Sequence, residues 1–364
     1  SWLFTQQKDF KNAFVQEKAI SMRSEGDLKR IFDLVYVVRS AKEYETAKEI
    51  LNYLIQNSVT DEDTLNAYFI LLDIRAKTAE KEEYPEVQKE FEDLLSRYGK
   101  GGKTMFIQII YADFLAFKFG EIEQAKTILN GFLSQEIGLF HEAKTKMKLA
   151  DILVLDEKFN QALIYYSQVQ KLVKNDILAQ EARFKVAQTS YYKGDFDWAL
   201  TQLDVLKSST SQLIANDAME LSLLIKDNSL EDSTRTALKK FAKADLYIFQ
   251  KKHTPALQVL NEILENHEGE SIIDEALFRK GQLLEEMKKY EEAEMAYQKI
   301  IAEHKTDIYA DNAYFALGEL YRLHLNQPDK AQENYEQIIF NHQDSIYFVE
   351  ARKYFRQLRG DELE

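Results

Sequence analysis

A small residue three positions after a bulky one recurs along this chain at nearly constant intervals. That recurrence limits the folds open to the chain more than any other feature. The pairs are Phe10/Ala13, Tyr44/Ala47, Tyr84/Val87, Phe159/Ala162, Phe196/Ala199 and Tyr290/Ala293. In Ile122/Ala125, His253/Ala256 and Pro328/Ala331 the ring is replaced. Successive small residues are 34, 40, 38, 37, 37, 57, 37 and 38 positions apart. A single closed core has no need of such a register. A stack of units does, because each buries its apolar face only against its neighbours.

The stretch 274–307 shows what one unit contains. Leu277, Gly281 and Leu284 form one apolar stripe at helical spacing, and Ala293, Ala296, Tyr297 and Ile300 form a second. Lys288 and Lys289 are placed to close the first helix with favourable charge at its carbonyl end. Helices this short are marginal alone in water, so the two must pack on each other and on their neighbours. A second ruler runs through the first helices: Ile109, Met147, Phe184, Phe241, Phe278 and Phe315. From Met147 onward a small residue follows three positions later, at Ala150, Ala187, Ala244, Gly281 and Gly318, on the same helical face. All three prolines, Pro85, Pro255 and Pro328, fall at the start of a second helix, where a missing N–H costs nothing.

Composition narrows the function. With 3 prolines, 12 glycines and no strand-like alternation, the expectation is an all-helical chain. A net charge of −14 argues against nucleic acid, whose phosphates call for a basic surface. The acidic excess is concentrated in 61–93 and 262–303, read as solvated helix faces that would also attract a basic partner. Without cysteine there are no disulfides and no thiolate catalysis, which fits an envelope or secreted setting better than a cytosolic one. No apolar run reaches the roughly 18 residues that a membrane span requires. The chain opens at Ser1 in mid-repeat and reads as a segment of a longer protein.

Two irregularities divide the array. The interval of 57 equals one repeat plus about twenty residues, and residues 213–230 hold Ala215, Ala218, Met219, Leu221, Ser222 and Ile225, enough for one further helix before the turn Asp227, Asn228, Ser229. The expected organisation is an array over 1–212, an inserted helix and turn over 213–232, and a second array over 233–364. In the closing segment 345–358, Tyr347, Ala351, Tyr354, Phe355 and Leu358 share one side, as in a helix that caps an exposed core.

Catalytic motifs fail on inspection. Gly99, Lys100, Gly101, Gly102, Lys103 and Thr104 resemble a phosphate loop, but Arg97 stands where its first glycine belongs and no strand precedes it. His267, His304 and His342 recur at repeat spacing, roughly 10 Å apart on neighbouring helices, too far to share one zinc ion at about 2 Å. They read instead as helix C-terminal residues. Glu285/Glu286 and Glu291/Glu292 are adjacent, so each pair points to different faces. Arg359, Gly360 and Asp361 match a cell-adhesion tripeptide that any helix ending in arginine and glycine produces. No catalytic, cofactor-binding or metal-binding residue is assigned, and no cofactor is expected.

The unit resembles the tetratricopeptide repeat. The resemblance rests on Gly281, Tyr290, Ala293 and Tyr297 in one unit and Leu317, Gly318, Tyr321, Ala331 and Tyr335 in the next. Here the spacing is mostly 37–38 rather than 34, and the final proline is absent. Longer repeats of this kind resemble those of bacterial envelope proteins, including outer-membrane assembly lipoproteins and cell-division coordinators. The resemblance implies an α–α superhelix of about eight hairpins, with an inserted helix and a C-terminal cap. It also implies a groove lined by first helices that binds a peptide or partner protein. By position in the family pattern the groove residues are Gln188, Tyr191, Asp245, Ile248, Gln282, Glu285, Asn312, Glu319 and Arg322. The expected function is a non-enzymatic interaction scaffold or adaptor with a protein partner, in the bacterial periplasm or a membrane-associated complex at the outer membrane. The alternative is a regulatory or structural repeat module of a larger protein whose catalytic or anchoring part lies elsewhere.

Overall fold

Eight hairpin turns in this molecule share one backbone device. Lys8, Lys42, Gly120, Glu157, Gly194, Lys251, Lys288 and Asn326 all have positive φ, between 50° and 87°. Each lies two residues ahead of the second helix of its hairpin. At Lys288 the next residue, Lys289, donates its N–H to the Leu284 carbonyl at 2.8 Å, and Lys252 does the same to Tyr247. This left-handed closure satisfies carbonyls that a helix end would otherwise leave bare. Lys288 and Lys289 therefore occupy the turn itself, beyond the end of the first helix at Glu286, rather than that helix's last turn as the charge pattern suggested.

The computed structural model describes residues 1–24, 26–209, 211–229, 234–304 and 309–361. Among them there are twenty α-helices and no strand. A partial unit, α1 (Trp2–Gln6) and α2 (Phe10–Arg23), comes first. Five hairpins follow: α3 (Lys29–Ser40) with α4 (Tyr44–Asn57), α5 (Asp61–Thr78) with α6 (Tyr84–Tyr98), α7 (Met105–Phe114) with α8 (Ile122–Leu133), α9 (Leu139–Leu155) with α10 (Phe159–Leu172), and α11 (Ile177–Lys193) with α12 (Phe196–Leu206). The single helix α13 (Gln212–Asp227) interrupts the series. Three more hairpins are α14 (Thr236–Phe249) with α15 (His253–Asn266), α16 (Ile273–Glu286) with α17 (Tyr290–Glu303), and α18 (Ala310–Leu323) with α19 (Pro328–Asn341); α20 (Phe348–Arg359) closes the chain. Residues 230–232 of the inserted segment and Asp307 lie outside the described residues.

The signpost positions explain the packing. Ala13, Ala47, Val87, Ala125, Ala162, Ala199, Ala256, Ala293 and Ala331 are all fully buried, with no exposed surface. A larger side chain there would push the two helices apart. The α5/α6 hairpin turns differently, through a 3₁₀ segment (Lys81–Glu83) whose Glu80 and Glu83 form a reciprocal capping box. Beyond α7 the chain widens into a π turn (Leu115–Phe119) that ends at left-handed Gly120. His267, His304 and His342 are the C-cap residues of α15, α17 and α19.

By contacts the chain forms two compact units, Ser1–Ala182 and Arg183–Glu364. In unit 1 a core runs from Phe10 through Ile31, Leu51 and Ile74. In unit 2 one continuous core links Ala187, Phe241, Leu284 and Tyr335 to Ala351 of the capping helix. The cap seals that core with Tyr347 stacked on Phe315 at 4.4 Å and with Tyr354 beneath the Arg322 guanidinium at 4.2 Å.

Candidate partner-binding surface

The second ruler of the sequence turns out to index a polar column. Four positions beyond its bulky residues stand Asp113, Asp151, Gln188, Asp245, Gln282 and Glu319, and one position beyond three of them stand the cations Lys148, Lys185 and Arg279. Lys148 and Arg279 reach back one repeat to the column. In unit 1, Lys148 Nζ lies 2.6 Å from Asp113 Oδ1 and 3.7 Å from Asp151 Oδ2. In unit 2, Arg279 Nε lies 3.1 Å from Asp245 Oδ1. The same register thus builds a helix-to-helix ion pair between successive first helices in each unit.

In unit 2 the pair is elaborated. Tyr191, buried on α11, donates its hydroxyl to the other oxygen of Asp245 at 2.9 Å. Burial raises the Asp245 carboxyl above its ordinary range, against the opposing pull of Arg279 and the Tyr191 hydroxyl. Asp245 in turn holds the guanidinium above its ordinary range, and burial pushes the Tyr191 phenol well upward. Beside this triad is a cavity of about 250 Å³ whose walls include Phe184, Gln188 and Tyr192 of α11 and Tyr309 at the start of α18. Its remaining wall is Asp217, Glu220, Leu221 and Leu224 of α13. The exposed Glu220 carboxylate acts electrostatically on both Arg279 and Tyr309.

Further along, the polar groups on the first helices are tied to tyrosines of the second. Glu285 accepts from the Tyr297 hydroxyl, and its carboxyl is raised by burial, with the Tyr297 bond acting the other way. Glu319 accepts from the Tyr335 hydroxyl and from Arg322 at 2.7 Å. Asn312 donates to Tyr347 Oη at 3.2 Å. Both tyrosine rings lie against glycine: a Cβ on Gly281 would sit 2.3 Å from a Tyr297 ring carbon, and one on Gly318 would sit 2.5 Å from Tyr335.

The nine groove residues named from sequence thus have distinct surroundings. Gln188, Tyr191 and Asp245 line the same cavity. Glu319 and Arg322 form a pair, Glu285 and Asn312 are each held by a tyrosine, Ile248 packs against the core, and Gln282 is exposed. Arg279, Tyr309 and the α13 carboxylates were missed. Arg279 had a signal: a cation one position after the ruler, one repeat beyond an acid. The place of α13 had none, because its own stripe says only that it is a helix.

Unit 1 offers a separate cavity of about 410 Å³ at α4, α5 and α6, where Arg75 pairs with Glu90 at 3.0 Å and Glu83 at 3.1 Å. Among the described residues no helix is long and apolar enough to cross a membrane.

The family model of the tetratricopeptide repeat matches residues 275–306 and 312–345, which hold the α16/α17 and α18/α19 hairpins. Among solved structures, the apo form of RapI is 15% identical with a TM-score of 0.41, over 92% of this chain and 97% of that one. A Rap protein complexed with competence and sporulation factor is 15% identical with a TM-score of 0.39, over 92% and 96%. A tetratricopeptide repeat protein from Parabacteroides merdae is 13% identical with a TM-score of 0.29, over 91% and 98%. Comparison with curated proteins gives no match.

Proposed function

We propose that this chain, two of whose hairpins match the tetratricopeptide-repeat model, serves as a non-enzymatic scaffold whose first-helix face in unit 2 binds a protein partner. One observation carries the reading. Charged side chains on three successive first helices are held in fixed positions by their neighbours: Asp245 of α14 by Tyr191 of α11 and Arg279 of α16, Glu285 of α16 by Tyr297 of its own hairpin, and Glu319 of α18 by Tyr335 of its own hairpin and by Arg322. Groups fixed in this way lose little side-chain entropy when a partner arrives. They also sit on rigid helices rather than on loops, which favours selectivity.

Glu285, Glu319 and Arg322 also hold the hairpins together, so changing them alters stability as well as surface. Gln188 and Gln282 make a cleaner test, because the contacts they accept from Lys185 and Arg279 are long, at 3.4 Å. The protein would be immobilised as the parent, as Gln188→Lys/Gln282→Lys and as Glu336→Lys on the exposed side of α19. Captured proteins would be compared by mass spectrometry. The expected result is a partner held by the parent and by Glu336→Lys but lost from the double variant at unchanged Tm. Equal capture by all three would refute a first-helix binding face.

A further inference from the structure

We infer that α13 is a tethered occupant of the first-helix face of unit 2, and that an amphipathic helix of a partner exchanges with it there. The inference rests on the protein-binding reading above and specifies the kind of partner.

Helix α13 stands outside the hairpin pattern, with complete hairpins before and after it. It packs most closely along α12. Ile214, Ala218, Ser222 and Ile225 form its buried stripe, a spacing typical of a helix laid into a groove. Toward the first helices the fit is looser. There Asp217, Glu220, Leu221 and Leu224 face the Asp245–Arg279 pair across the 250 Å³ cavity instead of closing on it.

At the far end of α13, Asn228 ties the helix to α16 and the loop before it, while Lys226 lies 3.8 Å from Asp204 of α12. Asn228 Nδ2 donates to Glu275 Oε1 at 3.0 Å and to the Leu224 carbonyl at 2.9 Å, while Asn228 Oδ1 accepts from Ser271 Oγ at 2.8 Å. The seat also leaves a polar atom bare: Ser222 Oγ, in mid-helix, is buried without a hydrogen-bond partner. Buried polar groups are almost always satisfied, and an orphan weakens the contact that buries it. A cavity, a latch at Asn228 and a bare hydroxyl in mid-helix describe a helix that can be displaced more readily than its neighbours. The replacement is defined by what α13 presents: a buried stripe at i, i+4, i+8 and i+11, apolar except for Ser222 at i+8, with the Glu220 carboxylate acting on Arg279.

Tethering gives α13 an effective concentration on the order of mM, so a free helix competes poorly until the latch opens. Apparent affinity scales with the open fraction. The probe is a fluorescein-labelled peptide of residues 211–229, followed by anisotropy against three proteins. These are the parent, Asn228→Ala, and Asn228→Cys/Ser271→Cys joined by a short bismaleimide, in a chain that has no other cysteine. Asn228→Ala should bind the peptide at least about ten-fold more tightly than the parent, and the cross-linked protein should not bind it. Equal binding by all three, or no gain in a folded Asn228→Ala, would overturn the inference. Should Asn228→Ala not fold, hydrogen exchange in the parent decides. The amides of α13 should exchange at least about ten-fold faster than those of α14 and α16, and equal protection would overturn the inference. Partner capture at Gln188 and Gln282 without peptide exchange would remove the tethered-helix idea and leave the binding face. Exchange without capture would do the reverse.

Discussion

The hairpins α14/α15 and α16/α17 are adjacent in unit 2, have the same repeat length and turn alike, with Lys251 at φ 57° and Lys288 at φ 59°. They solve the same packing problem differently. In the first, Ala244 and Leu260 occupy the close-approach positions; in the second, Gly281 and Tyr297 do. Both larger residues are fully buried. The tyrosine displaces the Cβ that an alanine would carry, and in return its hydroxyl crosses to Glu285 on the first helix. The α18/α19 hairpin repeats that exchange with Gly318, Tyr335 and Glu319. A leucine hairpin packs only; a tyrosine hairpin packs and also fixes a carboxylate on the proposed binding face. One further position follows the same division: Glu275 at the start of α16 stands 37 residues after the buried Leu238 of α14.

The sharpest way to break this comparison is Gly281→Ala. Helix propensity favours alanine by up to about 1 kcal/mol, but the new Cβ would lie 2.3, 2.6 and 2.8 Å from three atoms of a ring with no room to move. A net loss of about 1–3 kcal/mol is expected in urea unfolding. Adding Tyr297→Leu, which recreates the Ala244/Leu260 pairing, should recover most of it. A neutral single variant would show that glycine is not what the ring requires.

Next in size is the pH response of Glu275. Burial, with Asp274 adding to it, pushes its carboxyl from 4.5 up to about 9. Folding therefore takes up a proton across that window. The contribution is intact at low pH and is lost as pH rises from about 5 to about 9. Tm should fall over that range, and Glu275→Gln should flatten the fall, worth about 1–2 kcal/mol at the alkaline end. An unchanged slope would contradict the burial of this group. Leu238→Met in α14 should leave the slope as it is.

Tyr297→Phe should cost about 1 kcal/mol by removing the donor to Glu285. Because that bond favours the charged carboxylate, the loss should be larger at pH 7 than at pH 4. The smallest effect tests what the two hairpins share. Lys251→Gly and Lys288→Gly should each stabilise by about 0.5 kcal/mol, since glycine takes the left-handed backbone without a Cβ penalty. Unequal gains would mean that the turns are not equivalent.

Much of the fold could be read before any coordinates, because stacked hairpins repeat their constraints. The alanines of the first ruler are buried for the reason that their spacing implies, and the three cap histidines end their helices as expected. The turn residues escaped notice because lysine, glutamate, asparagine and glycine all serve there. Only their constant offset from the second helix unites them. The proposed binding face was legible as columns and not as contacts. Periodicity places Asp245 and Glu319 in one register but does not say that Arg279 reaches back to the first or that Tyr335 holds the second. The seat of α13 depends on tertiary packing between segments whose local sequence carries no trace of it.

The central claim is that first helices, not second helices, meet the partner. Hydrogen exchange of unit 2 with and without the captured partner tests it most directly. Protection gathered on α11, α14, α16 and α18 is the expected result. Protection confined to α15, α17 and α19 would contradict the account.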